Sequence, residues 1–145
     1  MYKDVVQGRE ISIHYFDNLV GILMSYPPEL CGMAGICPIN FIIEADGGIY
    51  PCDFYVIDEW HLRNIHNSDF EAIKSNDTAN RFTKISRYID PRCRTCKFFS
   101  LCRGGCRRMR EPFKNGKPIL NYYCKSYKDF FNYAGERLVK LANIF

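Results

Sequence analysis

Eight cysteines, at positions 31, 37, 52, 93, 96, 102, 106 and 124, constrain this chain more than any other feature. They form a loose N-terminal group and a dense later group that reads C-x2-C-x5-C-x3-C, from Cys93 through Cys96 and Cys102 to Cys106. Eight thiols suffice for two four-cysteine metal centres with nothing left over. The N-terminus, MYKDVVQGRE, lacks the basic-then-apolar pattern of a secretory signal, so a cytoplasmic protein is expected. In a reducing cytoplasm disulfides do not persist, and clustered cysteines point to metal or redox chemistry rather than to disulfide pairs or free thiols.

A chain of 145 residues makes one domain that leans on its metal centres. No apolar run approaches the roughly 18 residues of a membrane-spanning helix, and no membrane partner is expected. The net charge of +4 and the run Arg103, Arg107, Arg108, Arg110 invite a nucleic-acid reading. Ligating thiols are deprotonated, however. Eight thiolates, offset by two metal cores of about +2 each, bring the total near zero. The arginines then read as local compensation for anionic metal centres, and nucleic acid is not an expected partner.

The pattern along the chain predicts an α+β fold, small and loop-rich, with a β-hairpin and flanking helices built around two four-cysteine clusters. Apolar residues at helical spacing predict a helix from about Glu10 to Tyr26, stopped by Pro27–Pro28. FIIEADGGIYPC reads as two short strands joined at Asp46-Gly47-Gly48, a hairpin that places Cys37 near its entry and Cys52 at its exit. Ser68 with Glu71 three residues on reads as a capping box for a helix to about Lys74. A second helix is expected from about Thr78 to Tyr88, with Pro91 breaking the segment before the dense cysteines. The last helix should run from about Cys124 to Ile144, with Tyr127, Phe130, Phe131, Tyr133 and Leu138 packing under the metal sites. Asp58, Glu59 and Lys74 read as solvated surface.

Structural zinc sites usually combine two close ligand pairs, and here only Cys93 and Cys96 form one. His14, His61 and His66 lie outside the cysteine groups at no ligand spacing. Zinc therefore has to accept wide, irregular loops, whereas an iron–sulfur cluster spreads its irons and tolerates longer gaps. In two-cluster ferredoxins a close run of four cysteines gives three ligands to one cluster and the fourth to the other. By that logic Cys93, Cys96 and Cys102 share a cluster completed by Cys124, and Cys106 crosses over to join Cys31, Cys37 and Cys52. Gly104 and Gly105 allow positive φ and let backbone amides approach sulfur at the crossover.

The pattern resembles the SPASM domain, the auxiliary-cluster domain of many radical S-adenosylmethionine (radical SAM) enzymes. Its elements are all present: Cys37, nine residues, Gly47, four residues, Cys52, then the dense run, then Cys124. Within that group YPPELCGMAGICP and GGIYPCDFYV look similar to the anaerobic sulfatase-maturating enzymes, including the extra cysteine six positions before Cys37, here Cys31. The resemblance implies two 4Fe-4S clusters with the same division of ligands, fully ligated and so closed to S-adenosylmethionine. It implies a domain of residues 31–124, with 1–30 a helical linker from a radical SAM barrel and 125–145 a C-terminal helix.

The same resemblance implies oxidation of a sulfatase active-site cysteine or serine to Cα-formylglycine, with the sulfatase polypeptide as substrate and an external electron carrier. A 5′-deoxyadenosyl radical takes a hydrogen from the substrate Cβ, a base takes the thiol or hydroxyl proton, and one more electron leaves. Asp53, directly after Cys52, matches the aspartate that acts as that base. The expected role of the domain is electron transfer, a general base and substrate-peptide positioning. No C-x3-C-x2-C run exists here. The third 4Fe-4S cluster and the S-adenosylmethionine site are thus expected in a missing N-terminal barrel, and this segment alone should be inactive. Alternatives are a SPASM domain serving another peptide substrate, or a four-cysteine zinc module for protein interaction. Zinc is also a candidate substitute in an isolated fragment.

Overall fold

The computed structural model describes residues 1–144. The expected hairpin is present. β1 (Ile42–Ile43) pairs antiparallel with β2 (Gly48–Tyr50), Ile42 opposite Tyr50 and Ile43 opposite Ile49. Its turn is closed by the Gly47 amide donating to the Glu44 carbonyl at 2.9 Å and by the Gly48 amide donating to Asp46 Oδ1 at 2.9 Å. Gly47 has φ +82°, which favours glycine, and a β-carbon there would lie 2.7 Å from His66 Cδ2 and would have to displace that ring. A third strand, β3 (Arg63–Asn64), pairs with the other side of β2. It was not expected, because two polar residues carry no readable alternation. The buried Ile49 packs here with Leu62, Ile73 and Ala79.

α1 (Tyr2–Val6) precedes α2 (His14–Leu23). The latter is shorter at both ends than the predicted Glu10–Tyr26 helix. Ile13 is extended at its start, and Ser25, with φ 69°, ends it before the prolines. α3 (Phe70–Lys74) is capped by Asp69, which accepts the Ala72 amide at 2.7 Å, rather than by the predicted Ser68. The aspartate carboxylate, not the serine hydroxyl, reaches the free amide. α4 (Asp77–Ser86) follows an Asn76 cap and ends short of the expected Tyr88. Pro91 opens α5 (Pro91–Arg94) instead of merely ending a segment, as proline suits a first helical position. α6 (Phe99–Cys102) leads to α7 (Cys124–Ala142). The predicted terminal helix thus ends at Ala142, and Phe145 of the expected 125–145 segment lies outside the described residues.

Two cores result. α2, α6 and α7 bury Leu19, Val20, Ile22, Leu101, Phe131, Leu138 and Leu141. Tyr127 and Phe130 lie half-buried against this core. Tyr133 does not: it is 76% exposed. Two residues past Phe131, it is rotated by about 200° to the far side of the helix. A second core stacks Tyr55, Trp60 and Phe82 edge to face beneath the hairpin. Among the described residues no helix is long and apolar enough to cross a membrane.

Candidate functional site

The eight cysteines line two separate cavities. The first, of about 50 Å³, is lined by Cys31, Cys37, Cys52 and Cys106, with Asp53, Arg107 and Arg110. Cys31 opens a short 3-10 turn whose approach is set by Asn18. That buried side chain donates to the His14 carbonyl at 2.8 Å, and its Oδ1 accepts the Glu29 and Leu30 amides at 2.7 and 3.0 Å. Cys37 is tied to α4, its amide donating to Ser86 Oγ at 2.9 Å and its carbonyl accepting from Thr83 Oγ1 at 3.2 Å. Cys52 stands at the hairpin exit. Ser86 carried no signal in the sequence beyond its place in a helix.

The second cavity, of about 70 Å³, is lined by Cys93, Cys96, Cys102 and Cys124. α5 supplies Cys93, the end of α6 supplies Cys102, and Cys124 begins α7. The chain then leaves this cavity through three consecutive left-handed residues, Arg103 (φ 46°), Gly104 (φ 89°) and Gly105 (φ 70°), which deliver Cys106 to the first cavity. The Gly104 backbone offsets part of the burial that raises the Cys102 thiol. At Gly105 a β-carbon would sit 2.4 Å from Asn121 Nδ2. Asn121, which carried no signal in the sequence, donates to the Gly104 carbonyl at 3.0 Å and accepts the Tyr123 amide at 2.8 Å, linking the crossover to the start of α7.

Burial raises the Cys37, Cys93 and Cys102 thiols above the ordinary value and pushes Cys52 up to about 12. Neighbouring thiolates add to the effect. Cys106 raises both Cys37 and Cys52, while Cys96 and Cys124 raise both Cys93 and Cys102. Sulfurs that raise one another in this way repel as thiolates. Among the described residues no three Cys, His, Asp or Glu side chains converge at the distances of a single metal ion. The sulfurs ring cavities instead.

Of the four arginines expected to compensate negative charge, Arg107 and Arg110 are 2% and 4% exposed. Arg107 Nε is buried with no hydrogen-bond partner. Arg108 turns outward to pair with Glu111, and Arg103 keeps a single backbone contact to Ser100. Asp53 lies at the first cavity, where Oδ1 accepts the Cys52 thiol at 3.1 Å and the Phe54 amide at 3.1 Å. The histidines are elsewhere: His14 meets Glu29, His61 meets the Tyr50 ring edge to face, and His66 lies against Gly47. Glu59 is 3.5 Å from Arg81 at the surface, away from both cavities.

Residues 37–97 match the SPASM family, described as an iron–sulfur cluster-binding domain. The chain is 43% identical over 142 residues to a cysteine-type anaerobic sulfatase-maturating enzyme of Clostridium perfringens, covering 98% of this chain and 38% of that protein. It is 30% identical over 124 residues to a serine-type anaerobic sulfatase-maturating enzyme of Bacteroides thetaiotaomicron, covering 84% of this chain and 30% of that protein. A solved structure of native anSMEcpe with bound AdoMet and Kp18Cys peptide superimposes with a TM-score of 0.92 at 43% identity, over 99% of this chain and 40% of the other. The chain therefore spans 38% of the length of the Clostridium perfringens relative. With its SPASM match over residues 37–97 and this similarity over nearly all its length, the chain is similar to one part of the anaerobic sulfatase-maturating enzymes.

Proposed function

We propose that this chain is the auxiliary-cluster part of a radical SAM enzyme that oxidises a sulfatase active-site cysteine to Cα-formylglycine. Cys31, Cys37, Cys52 and Cys106 would hold one 4Fe-4S cluster, and Cys93, Cys96, Cys102 and Cys124 another. The observation that carries this reading is the sorting of all eight cysteines into two cavities of four. Thiols that ring a cavity, rather than meeting at single-ion distance, favour a body of several atoms over zinc. The unpartnered Arg107 Nε beside the first cavity suits an anionic occupant. Greater identity to the cysteine-type than to the serine-type relative, 43% against 30%, supports cysteine as the residue oxidised. The solved relative with a Kp18Cys peptide bound supports a polypeptide substrate.

When bound, such clusters take up and pass on single electrons. The chain's own residues then position and deprotonate. Asp53 is the general base for the substrate thiol, oriented by the Phe54 amide on Oδ1. Cys52, once a thiolate, has no hydrogen to donate, which frees Asp53 Oδ1 to accept the substrate proton. S-adenosylmethionine, a third cluster and the barrel would belong to the remainder of the protein, before residues 1–30. An external carrier would remove the electrons.

Two measurements test this. Anaerobically purified protein should carry about eight iron and eight sulfide for these two centres; two zinc and no sulfide would sink the reading. In the full-length enzyme Asp53→Asn should slow formylglycine formation by about 100-fold or more while leaving iron content intact. An undiminished rate would remove the base role.

A further inference from the structure

Arg110 occupies a place unlike that of the other arginines in its run. It lines the first cavity with Cys37 and Cys106. It also lines a small void of about 10 Å³ that is walled by Cys93, Gly104, Leu120 and Asn121, all four of which line the second cavity. Its Nη1 lies 3.3 Å from the position a Gly104 β-carbon would take. The guanidinium thus stands in the wall between the two cysteine sets.

Its partners are carbonyls. Nη2 donates to the Ser86 oxygen at 3.1 Å and to the Tyr88 oxygen at 2.7 Å. Among the described residues no carboxylate lies within ion-pair distance of it. A cation 4% exposed and held only by neutral dipoles is costly to bury unless negative charge lies near. The negative groups that face it are the sulfurs of Cys37 and Cys106 in the first cavity, the sulfur of Cys93 across the small void, and the Asp90 carboxylate, which shares that void beyond ion-pair distance and pairs with Arg92. Arg107, by contrast, faces the first set alone and is enclosed by aromatic rings.

We propose that Arg110 is a shared positioning charge between the two centres, stabilising the reduced state of both. The proposal rests on the two-cluster reading above. During reduction each centre accepts one electron from the reductant and becomes more negative by one charge. A fixed positive charge in the common wall favours that change on either side. Arginine suits the position because it stays protonated under burial and its fork meets both carbonyls at once.

The test is a reductive titration of the anaerobically purified protein, with the midpoint of each centre read by electron paramagnetic resonance. Arg110→Gln should lower the reduced-to-oxidised ratio at a fixed potential about tenfold at both centres, equivalent to about 59 mV for a one-electron couple. Arg110→Lys, which keeps the charge, should return both midpoints toward the original values. Unchanged midpoints in Arg110→Gln with full iron content overturn the proposal, and so does a shift confined to one centre. Should Arg110→Gln lose its iron, the lysine variant decides. Iron retained there assigns the requirement to charge, and iron lost in both assigns Arg110 a packing role and overturns the proposal. Unsubstituted protein without cluster iron is a separate failure, that of the two-cluster reading itself.

Discussion

Arg107 holds its guanidinium carbon 4.3 Å from the centre of the Phe82 ring and donates from Nη1 to the Phe82 carbonyl at 3.2 Å. Tyr55, Trp60 and Phe113 close the remaining sides at 4.6, 4.4 and 5.0 Å. The cage joins the hairpin exit to α4, and it backs the first cavity. Desolvation by this burial lowers the Arg107 pKa from its usual value, yet arginine remains charged. Arg107→Ala removes a desolvated cation–π cluster and leaves a void. It should destabilise the protein by about 3 kcal/mol in denaturant unfolding. A loss below about 1 kcal/mol would mean that the rings collapse freely into the space.

Asn18 tests the link between a buried amide and a distant cysteine. Asn18→Ala leaves the Glu29 and Leu30 amides without their acceptor, a cost of about 2 kcal/mol. The segment leading to Cys31 should loosen, so iron bound at the first cavity should become easier to remove with a chelator. Iron release at the parental rate would show that Cys31 is held by other contacts.

Gly47 carries the turn between β1 and β2. With φ +82° and His66 only 2.7 Å from a would-be β-carbon, Gly47→Ala meets both backbone strain and a clash. The expected cost is about 2 kcal/mol or more. Gly116, also at positive φ but with nothing within 4 Å of its β-carbon position, is the control, and alanine there should cost less. Equal thermal shifts in the two variants would refute the role of the close approach.

Asp90 caps α5 and meets Arg92 Nε at 2.9 Å. The Arg92 hydrogen bonds hold its carboxyl at about 2, below the unfolded value of about 3.9. A depressed folded pKa means that the carboxylate stabilises the fold above the unfolded value and that this is lost as pH falls toward about 2. Asp90→Ala should cost about 1 kcal/mol at neutral pH through loss of the cap. The gap between variant and parent should narrow below about pH 4, measured by thermal unfolding. A gap that is constant with pH would assign the effect to packing.

The elements with strong local signals were legible in the sequence. Asp46-Gly47-Gly48 between β-branched runs marks the hairpin, and apolar periodicity marks α2 and α7. The errors came where local signals compete. Ser68 and Asp69 are both good caps, and only the path of the chain selects Asp69. Tyr133 has an aromatic ring but the wrong helical angle. β3 has no pattern of its own and exists because β2 offers it a free edge.

What the sequence by itself determined is the supply of eight thiols, their spacing, the turn at Gly47 and the glycines after Arg103. Those are local properties, set by residue identity and backbone stereochemistry. The tertiary structure decided which thiols face one another. Cys102 and Cys106 are four residues apart, yet they line different cavities, because Arg103, Gly104 and Gly105 turn the chain left-handed between them. It also decided that Arg107 and Arg110 go inside while Arg103 and Arg108 do not. All four carry the same charge in the sequence, and only the long-range packing of α4 and the carbonyls of Phe82, Ser86 and Tyr88 separates them.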